Sequence, residues 1–166
     1  MSRTNAGVLL LAILHLSGCG SPVAPSAPLT VEEQAATGTY TLTLANGVMP
    51  PTKIGTFLSG GAGADVRVTG ATLVLGADAK TRTARLNVTV EYVESDPING
   101  VQKRTDGRET VAPWSLNGST FSFQPGNPTF SITSGTLSGG IATVITSSPG
   151  LYGAGSPTVV LTLAKQ

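Results

Sequence analysis

Apolar and polar residues alternate along most of the chain from residue 38 onward, and a period of two residues is typical of half-buried β-strands. The alternation is clearest over residues 82–93, where every second residue from Ala84 to Tyr92 is apolar. Residues 38–44 and 158–164 follow the same rule at the two ends of this region. The pattern therefore predicts strands throughout, each with one face turned toward a core.

Turn signals separate these runs about every 8–12 residues, and stretches rich in glycine, serine or proline predict loops over residues 59–64 and 147–157. Asn46-Gly47 and Asn117-Gly118 are the strongest, because Asn-Gly readily adopts the positive φ angles of a two-residue hairpin. About eight or nine short strands predict an all-β fold, an antiparallel meander that closes into a small barrel when its last strand pairs with its first. A β-sandwich built from the same strands is the alternative.

The run over residues 66–75 changes phase in its middle. Val66 and Val68 share one face, whereas Leu73 and Leu75 fall on the opposite phase. Gly70 lies between the two pairs, and glycine inside a strand often marks a bulge. We therefore expect a bulge or bend at Gly70.

Residues 101–110 alternate in neither phase, because polar residues occupy both faces. Two interpretations follow from this pattern. The strand either protrudes from the barrel as part of a solvated hairpin or lines a polar opening.

The inward phase of the predicted strands collects most of the large apolar side chains. They either fill a solid core, as in small barrels, or line an apolar cavity that holds a ligand. The members of this set are Tyr40, Leu42, Leu86, Val88, Val90, Tyr92, Trp114, Phe121, Phe123 and Phe130.

The N-terminus has the charged, apolar and small-residue order of a secretory signal peptide. Arg3 precedes an apolar run over residues 6–16 that only His15 interrupts, and small residues then lead to Cys19. The run is shorter than the roughly 20 residues that a membrane-spanning helix needs. Pro22, Pro25 and Pro28 follow, which predicts an extended tether.

Leu16, Ser17, Gly18 and Cys19 together resemble the lipobox of bacterial lipoproteins. The resemblance implies cleavage before Cys19 and a diacylglycerol on its sulfur, usually with a further acyl chain such as palmitate. It also implies a lipid-anchored protein of the bacterial cell envelope, and Gly20 favours the outer membrane. The predicted organisation is a signal peptide over 1–18, a lipidated cysteine and Pro/Ser-rich tether over 19–37, and a β-barrel domain over 38–166. An ordinary signal peptide with an incidental cysteine is the alternative.

Composition narrows the chemistry of the exported domain. Loss of Arg3 from ten Lys and Arg leaves nine, against nine Asp and Glu, so charge offers no basis for binding nucleic acid. His15 is the single histidine and Cys19 the single cysteine. The domain after the lipidated residue therefore lacks the groups for disulfides, Cys/His zinc sites and histidine-dependent nucleophiles, and we expect no cofactor.

Several segments resemble small bacterial envelope lipoproteins with lipocalin-like antiparallel meanders. The segments are GTYTLTLANGVMPP, GATLVLGADAKTRTARLNVTVEY, WSLNGSTFSF and TSGTLSGGIATV. The resemblance implies a fold and carries no catalytic residue. We expect a non-enzymatic binding or structural module with an envelope protein as partner, and a carrier of a small apolar ligand is the alternative.

A pair of carboxylates can hydrolyse a glycoside. Asp65, Asp78, Glu91 and Glu109 are available, but no spacing selects a pair. A carboxylate-based hydrolase is thus a further, weaker alternative. Acidic residues near the turn at 96–100 match no EF-hand spacing, and we expect no metal site there; Glu91 is expected to lie near Arg104.

Overall fold

A computed structural model describes residues 28–59, 62–76, 82–96, 98–124, 130–152 and 158–166. Short helices precede the first strand and the last strand. The helices are α1 (Val31–Ala36) and α2 (Pro149–Tyr152). The strands are β1 (Gly38–Ala45), β2 (Thr52–Ser59), β3 (Ala62–Leu75), β4 (Thr83–Asp96), β5 (Gly100–Asn117), β6 (Thr120–Phe123), β7 (Ser131–Ser138), β8 (Ile141–Ser147) and β9 (Thr158–Lys165).

All nine strands belong to one antiparallel sheet, in which neighbours along the chain are mostly neighbours in space. Its order is β1-β9-β8-β7-β6-β5-β4-β3-β2, and β1 also pairs with β3. The hydrogen bonds therefore form a closed ring through eight strands. The predicted meander, with its last strand paired to its first, is confirmed, and the described strands do not divide into the two sheets of the alternative sandwich.

Strand β3 is long enough to pair with two strands along one edge. Its C-terminal part pairs with β1 through Thr72–Leu75, whereas its N-terminal part pairs with β2 through Ala62–Val68. The β3–β4 register shifts between Val68 and Gly70. This shift confirms the expected bulge, and it explains why valines before Gly70 and leucines after it are all buried.

Two segments predicted as loops contain more regular structure than the sequence indicated. The predicted loop 59–64 is mostly strand, because β2 continues to Ser59 and β3 begins at Ala62. Backbone pairing needs no large side chain, so small residues join the ladder here. The predicted loop 147–157 contains α2, where the Leu151 N–H donates to the Ser148 hydroxyl at 3.2 Å.

The two helices pack at opposite ends of the ring. At one end Ala36 of α1 is buried, and its carbonyl accepts a hydrogen bond from the Tyr40 hydroxyl at 2.6 Å. At the other end Leu151 and Tyr152 of α2 are fully buried. The Tyr92 hydroxyl donates to the Leu151 carbonyl at 3.0 Å, so buried tyrosines connect both helices to the strands.

The β4–β5 hairpin extends well beyond the part of β5 that belongs to the ring. Only the segment from Trp114 to Asn117 pairs with β6, whereas β4 and β5 pair continuously from Thr83–Pro113 to Asp96–Gly100. On β5, residues 101–109 are exposed except for the partly buried Asp106. This exposure favours the solvated hairpin over the strand that lines a polar opening.

Candidate functional site

The lipobox residues Leu16, Ser17, Gly18 and Cys19 lie outside the described residues. Lipidation of Cys19 therefore stays a prediction. Within the described part of the chain, neither helix has the length and apolar character that a membrane-spanning helix requires.

The residues predicted to face inward form one packed cluster. Nine of the ten are buried, and Leu42 is half-buried, because the β1–β9 ladder shifts register just after it. Trp114 and Phe121 meet edge to face with ring centroids 5.9 Å apart, and Phe121 lies 5.7 Å from Phe123. The predicted inward side chains therefore pack against one another in one buried cluster.

Tyr152 and Leu151 also belong to this core, although the sequence pattern placed them in a loop. The Tyr152 ring meets Phe130 edge to face at 6.3 Å. Its hydroxyl shares a 2.9 Å hydrogen bond with the Thr146 hydroxyl. The one sequence signal for this role is a pair of large apolar residues within a stretch rich in glycine, proline and serine.

A surface cleft of about 410 Å³ lies where β5 and β6 meet the start of β4. It is lined by Arg82, Pro113, Trp114, Ser115, Ser122, Phe123 and Gln124. The indole Nε1 of Trp114 is buried without a hydrogen-bond partner, which costs about 1–3 kcal/mol. The Arg82 guanidinium meets the buried Glu33 carboxylate at 3.2 Å and donates to the Pro28 carbonyl at 3.1 Å, so its charge is largely compensated.

The carboxylates considered for catalysis do not form a facing pair among the described residues. Asp65 contacts Lys53 at 2.7 Å, and the Lys53 hydrogen bond lowers the pKa of the Asp65 carboxyl. Glu109 lies 3.7 Å from the Arg85 guanidinium. Asp78 lies outside the described residues.

The acidic residues near the β4–β5 turn have structural partners. Asp96 accepts hydrogen bonds from the N–H groups of Ile98 and Asn99 at 2.7 and 2.9 Å, and these bonds lower the pKa of its carboxyl. Across the described residues, no group of three or more Asp, Glu, His or Cys side chains is placed to hold a metal ion.

The expected contact between Glu91 and Arg104 is wrong. Glu91 pairs with Lys103 at 3.2 Å, whereas the Arg104 guanidinium lies 4.8 Å from the centre of the Tyr92 ring. The physical reason is the strand register. Tyr92 is directly opposite Arg104, so Glu91 and Arg104 project from opposite faces of the sheet.

Among the described residues, none pairs with the outer half of β5 on the side away from β4. Antiparallel partners alternate between residues that exchange backbone hydrogen bonds and residues that do not. The backbone N–H of Trp114 donates to the Arg82 carbonyl on the β4 side. The backbone N–H of Gln124 donates to the Pro113 carbonyl on the β6 side. Since the β4–β5 register is unbroken, even-numbered residues of β5 bond to β4. Odd-numbered residues from Val101 to Val111 direct their backbone groups away from it.

At Gly107, side chains of neighbouring β5 residues satisfy the backbone groups of this edge. Its N–H donates to the Asp106 carboxylate at 2.8 Å, and its carbonyl accepts from the Arg108 guanidinium at 3.2 Å. The Asp106 and Arg108 side chains also contact each other at 3.0 Å. We call this arrangement the Gly107 clamp. Charged side chains and blocked backbone groups are the usual means of protecting an exposed strand edge.

Comparison of the chain with protein-family models, curated proteins and solved structures finds no match.

Proposed function

We propose that this protein is a lipid-anchored, non-enzymatic module of the bacterial cell envelope, anchored in the outer membrane, which binds a protein β-strand along the free edge of β5. The observation that carries the proposal is the row of outward N–H and C=O groups on the exposed outer half of β5. Strand addition to such an edge supplies affinity through backbone hydrogen bonds. The lipobox at Leu16–Cys19 supports the location.

The ring contacts among Trp114, Phe121 and Phe123 support a binding surface over an apolar carrier, since a ligand between these rings would have to separate them. The charged residues considered for hydrolysis support the same conclusion, because Asp65, Glu91 and Glu109 each contact a Lys or Arg side chain. Binding through the edge uses backbone groups and needs no catalytic residue.

Amide hydrogen exchange on the full-length protein in its native membranes tests occupation of the edge. The N–H groups of Thr105 and Glu109 point outward, whereas those of Asp106 and Arg108 bond to β4 and serve as internal controls. We expect the outward amides to be protected in the membrane and to lose that protection when the protein is diluted in detergent. Outward amides that exchange freely in both conditions would refute docking at this edge.

The anchor is tested by replacing the lipid acceptor. Cys19→Ser should release the folded protein from membranes, because the thiol is the group that takes the lipid. The intact mass of the wild-type protein, extracted from membranes, should equal residues 19–166 plus diacylglycerol and acyl chains. A Cys19→Ser variant that still sediments with membranes would contradict the anchor.

The unpaired Trp114 Nε1 favours a second candidate function, binding of a small ligand at the cleft between β5 and β6. A carbonyl or carboxylate oxygen that reached this donor would remove the cost of its burial. Because Trp114 is the single tryptophan, a library of small carboxylates titrated against its fluorescence is a direct assay. A spectrum that no member shifts would eliminate this candidate.

A further inference from the structure

We propose that the strand occupying the free edge of β5 is β5 of a second copy of this chain, antiparallel to the first, with Gly107 of each copy on the twofold axis. The inference rests on the proposed function, because it names the occupant of that edge. Two copies of one strand can form such an isologous pair only if the edge complements itself. The backbone and the charges of β5 both meet this condition.

The backbone condition follows from the direction of the N–H and C=O groups. In this register Gly107 of one copy faces Gly107 of the other, and Thr105 faces Glu109. All three are odd-numbered residues with outward backbone groups, so each facing pair exchanges two hydrogen bonds. The central part of the interface therefore contains about six backbone hydrogen bonds.

The charge condition is met on the face that carries the even-numbered side chains. With Gly107 on the axis, Asp106 of each copy lies directly opposite Arg108 of the other. Opposite charges that face each other across two strands stabilise the pair. The two reciprocal ion pairs replace the Asp106–Arg108 contact that each copy makes within its own strand.

Most neighbouring registers bring like charges together. An axis at Asp106 sets aspartate against aspartate and Arg104 against Arg108, while an axis at Arg104 or Arg108 sets arginine against arginine. An axis at Thr105 also pairs opposite charges, namely Arg104 with Asp106. The axis at Gly107 is preferred because it alone places the Gly107 backbones of the two copies opposite each other. In the single copy these are the backbone groups that the clamp satisfies.

The Gly107 clamp makes the pairing reversible. In the single copy, the Asp106 carboxylate and the Arg108 guanidinium satisfy the Gly107 backbone. In the dimer, the second copy supplies an acceptor for the Gly107 N–H, a donor for the Gly107 carbonyl and an opposite charge for Asp106 and for Arg108. The clamp therefore opens without leaving a group unpaired. Copies confined to one membrane by the proposed anchor would meet at a high effective concentration.

A cysteine at the axis provides the first test. A Cβ at Gly107 would meet just the Val88 carbonyl oxygen, at an ordinary 3.7 Å, so Gly107→Cys should leave the fold intact. Facing residues that exchange backbone bonds have Cα atoms about 5.5 Å apart, which suits a disulfide. Mild oxidation of the full-length variant in membranes should give a reducible dimer.

The matched control is Thr105→Cys at the same edge. In the proposed register each Thr105 faces Glu109, so the two cysteines lie far apart and should cross-link poorly. The wild type, whose one cysteine is Cys19, shows the background. Stronger dimerisation of Thr105→Cys than of Gly107→Cys would overturn the register. An adduct of Gly107→Cys with a different protein would overturn the second copy as occupant, although the edge would still be a binding site.

Exchange of the two charges separates contacts between copies from contacts within one strand. Asp106→Arg and Arg108→Asp each place like charges at both facing positions, so copies of one variant should associate at least about tenfold less than wild type. A mixture of the two variants places arginines against aspartates and should restore association, although each chain still lacks its internal ion pair. Differently tagged full-length chains, co-purified from membranes, report this result. Failure of the mixture to recover would overturn the interface.

Discussion

Ionisation of the Tyr152 side chain should destabilise the fold, because its phenol group is fully buried where α2 packs at one end of the ring of strands. Burial raises the pKa of Tyr152 to about 12 from the ordinary 10.0, and the hydrogen bond to Thr146 offsets this only in part. A pKa raised in the folded state contributes stability that is complete below pH 10 and is lost as the pH rises through about 12. The difference between these two pKa values corresponds to about 2.7 kcal/mol in the free energy of unfolding, of which about 1.4 kcal/mol is lost by pH 11.

Tyr152→Phe removes this titration together with the 2.9 Å hydrogen bond to Thr146. The lost bond should destabilise the variant by about 1 kcal/mol at pH 8. At pH 11 the wild type has lost about 1.4 kcal/mol that the variant keeps, so the order of stability should reverse near that pH. Tyr40 and Tyr92, whose pKa values burial also raises, titrate in both proteins and cancel in the comparison.

Urea unfolding between pH 8 and pH 11 measures this difference, with the fluorescence of the buried Trp114 as the probe. Thr146→Val is the control that keeps the phenol, although it removes the bond from the Thr146 hydroxyl to the Val159 carbonyl at 3.2 Å as well as the bond to Tyr152. Thr146→Val should remain sensitive to alkaline pH, while Tyr152→Phe should be less so. A free-energy difference between wild type and Tyr152→Phe that stays constant from pH 8 to pH 11 would refute the effect of burial.

Three further predictions concern other parts of the fold. Glu33→Ala removes the hydrogen bond from the Thr30 N–H to the Glu33 carboxylate, which is one half of the capping box of α1, and the ion pair with Arg82; it should cost about 2 kcal/mol in urea unfolding, and an unchanged midpoint would contradict it. Gly135→Ala would place its Cβ 2.6 Å from a backbone oxygen of β8 and should destabilise by about 1–3 kcal/mol, whereas Gly107→Ala, at 3.7 Å, should be tolerated; equal costs would refute the contact argument. Lys53→Ala removes the main cause of the low pKa of Asp65, so an NMR titration should show that pKa rising toward 3.8, and no rise would assign the effect elsewhere.

Local patterns predicted much of the meander because each feature has a local physical cause. Alternation over β4 defines its buried face, and an Asn-Gly turn follows β1, where Asn46 and Gly47 have φ angles of 49° and 78°. The phase change at Gly70 identified a bulge without any knowledge of the neighbouring strand. Each of these signals involves residues within one strand or one turn.

Features that depend on contacts between distant segments were missed. Helix α2 lies in a stretch whose composition favours a loop, and it is buried because Leu151 and Tyr152 meet residues from other strands. The division of one edge of β3 between β1 and β2 is a second example. It depends on where β1 docks along a strand longer than the pattern had indicated.

The sequence by itself determined which face of each strand is apolar, where most turns fall and that residues 101–110 have no apolar face. These properties depend on side-chain periodicity and turn chemistry, which are local. The tertiary structure alone decided which backbone groups of β5 remain unpaired, because their direction depends on the register with β4 and on the short reach of β6. It also decided that Asp106 and Arg108 contact the Gly107 backbone, because those contacts require the Gly107 N–H and C=O groups to point away from β4.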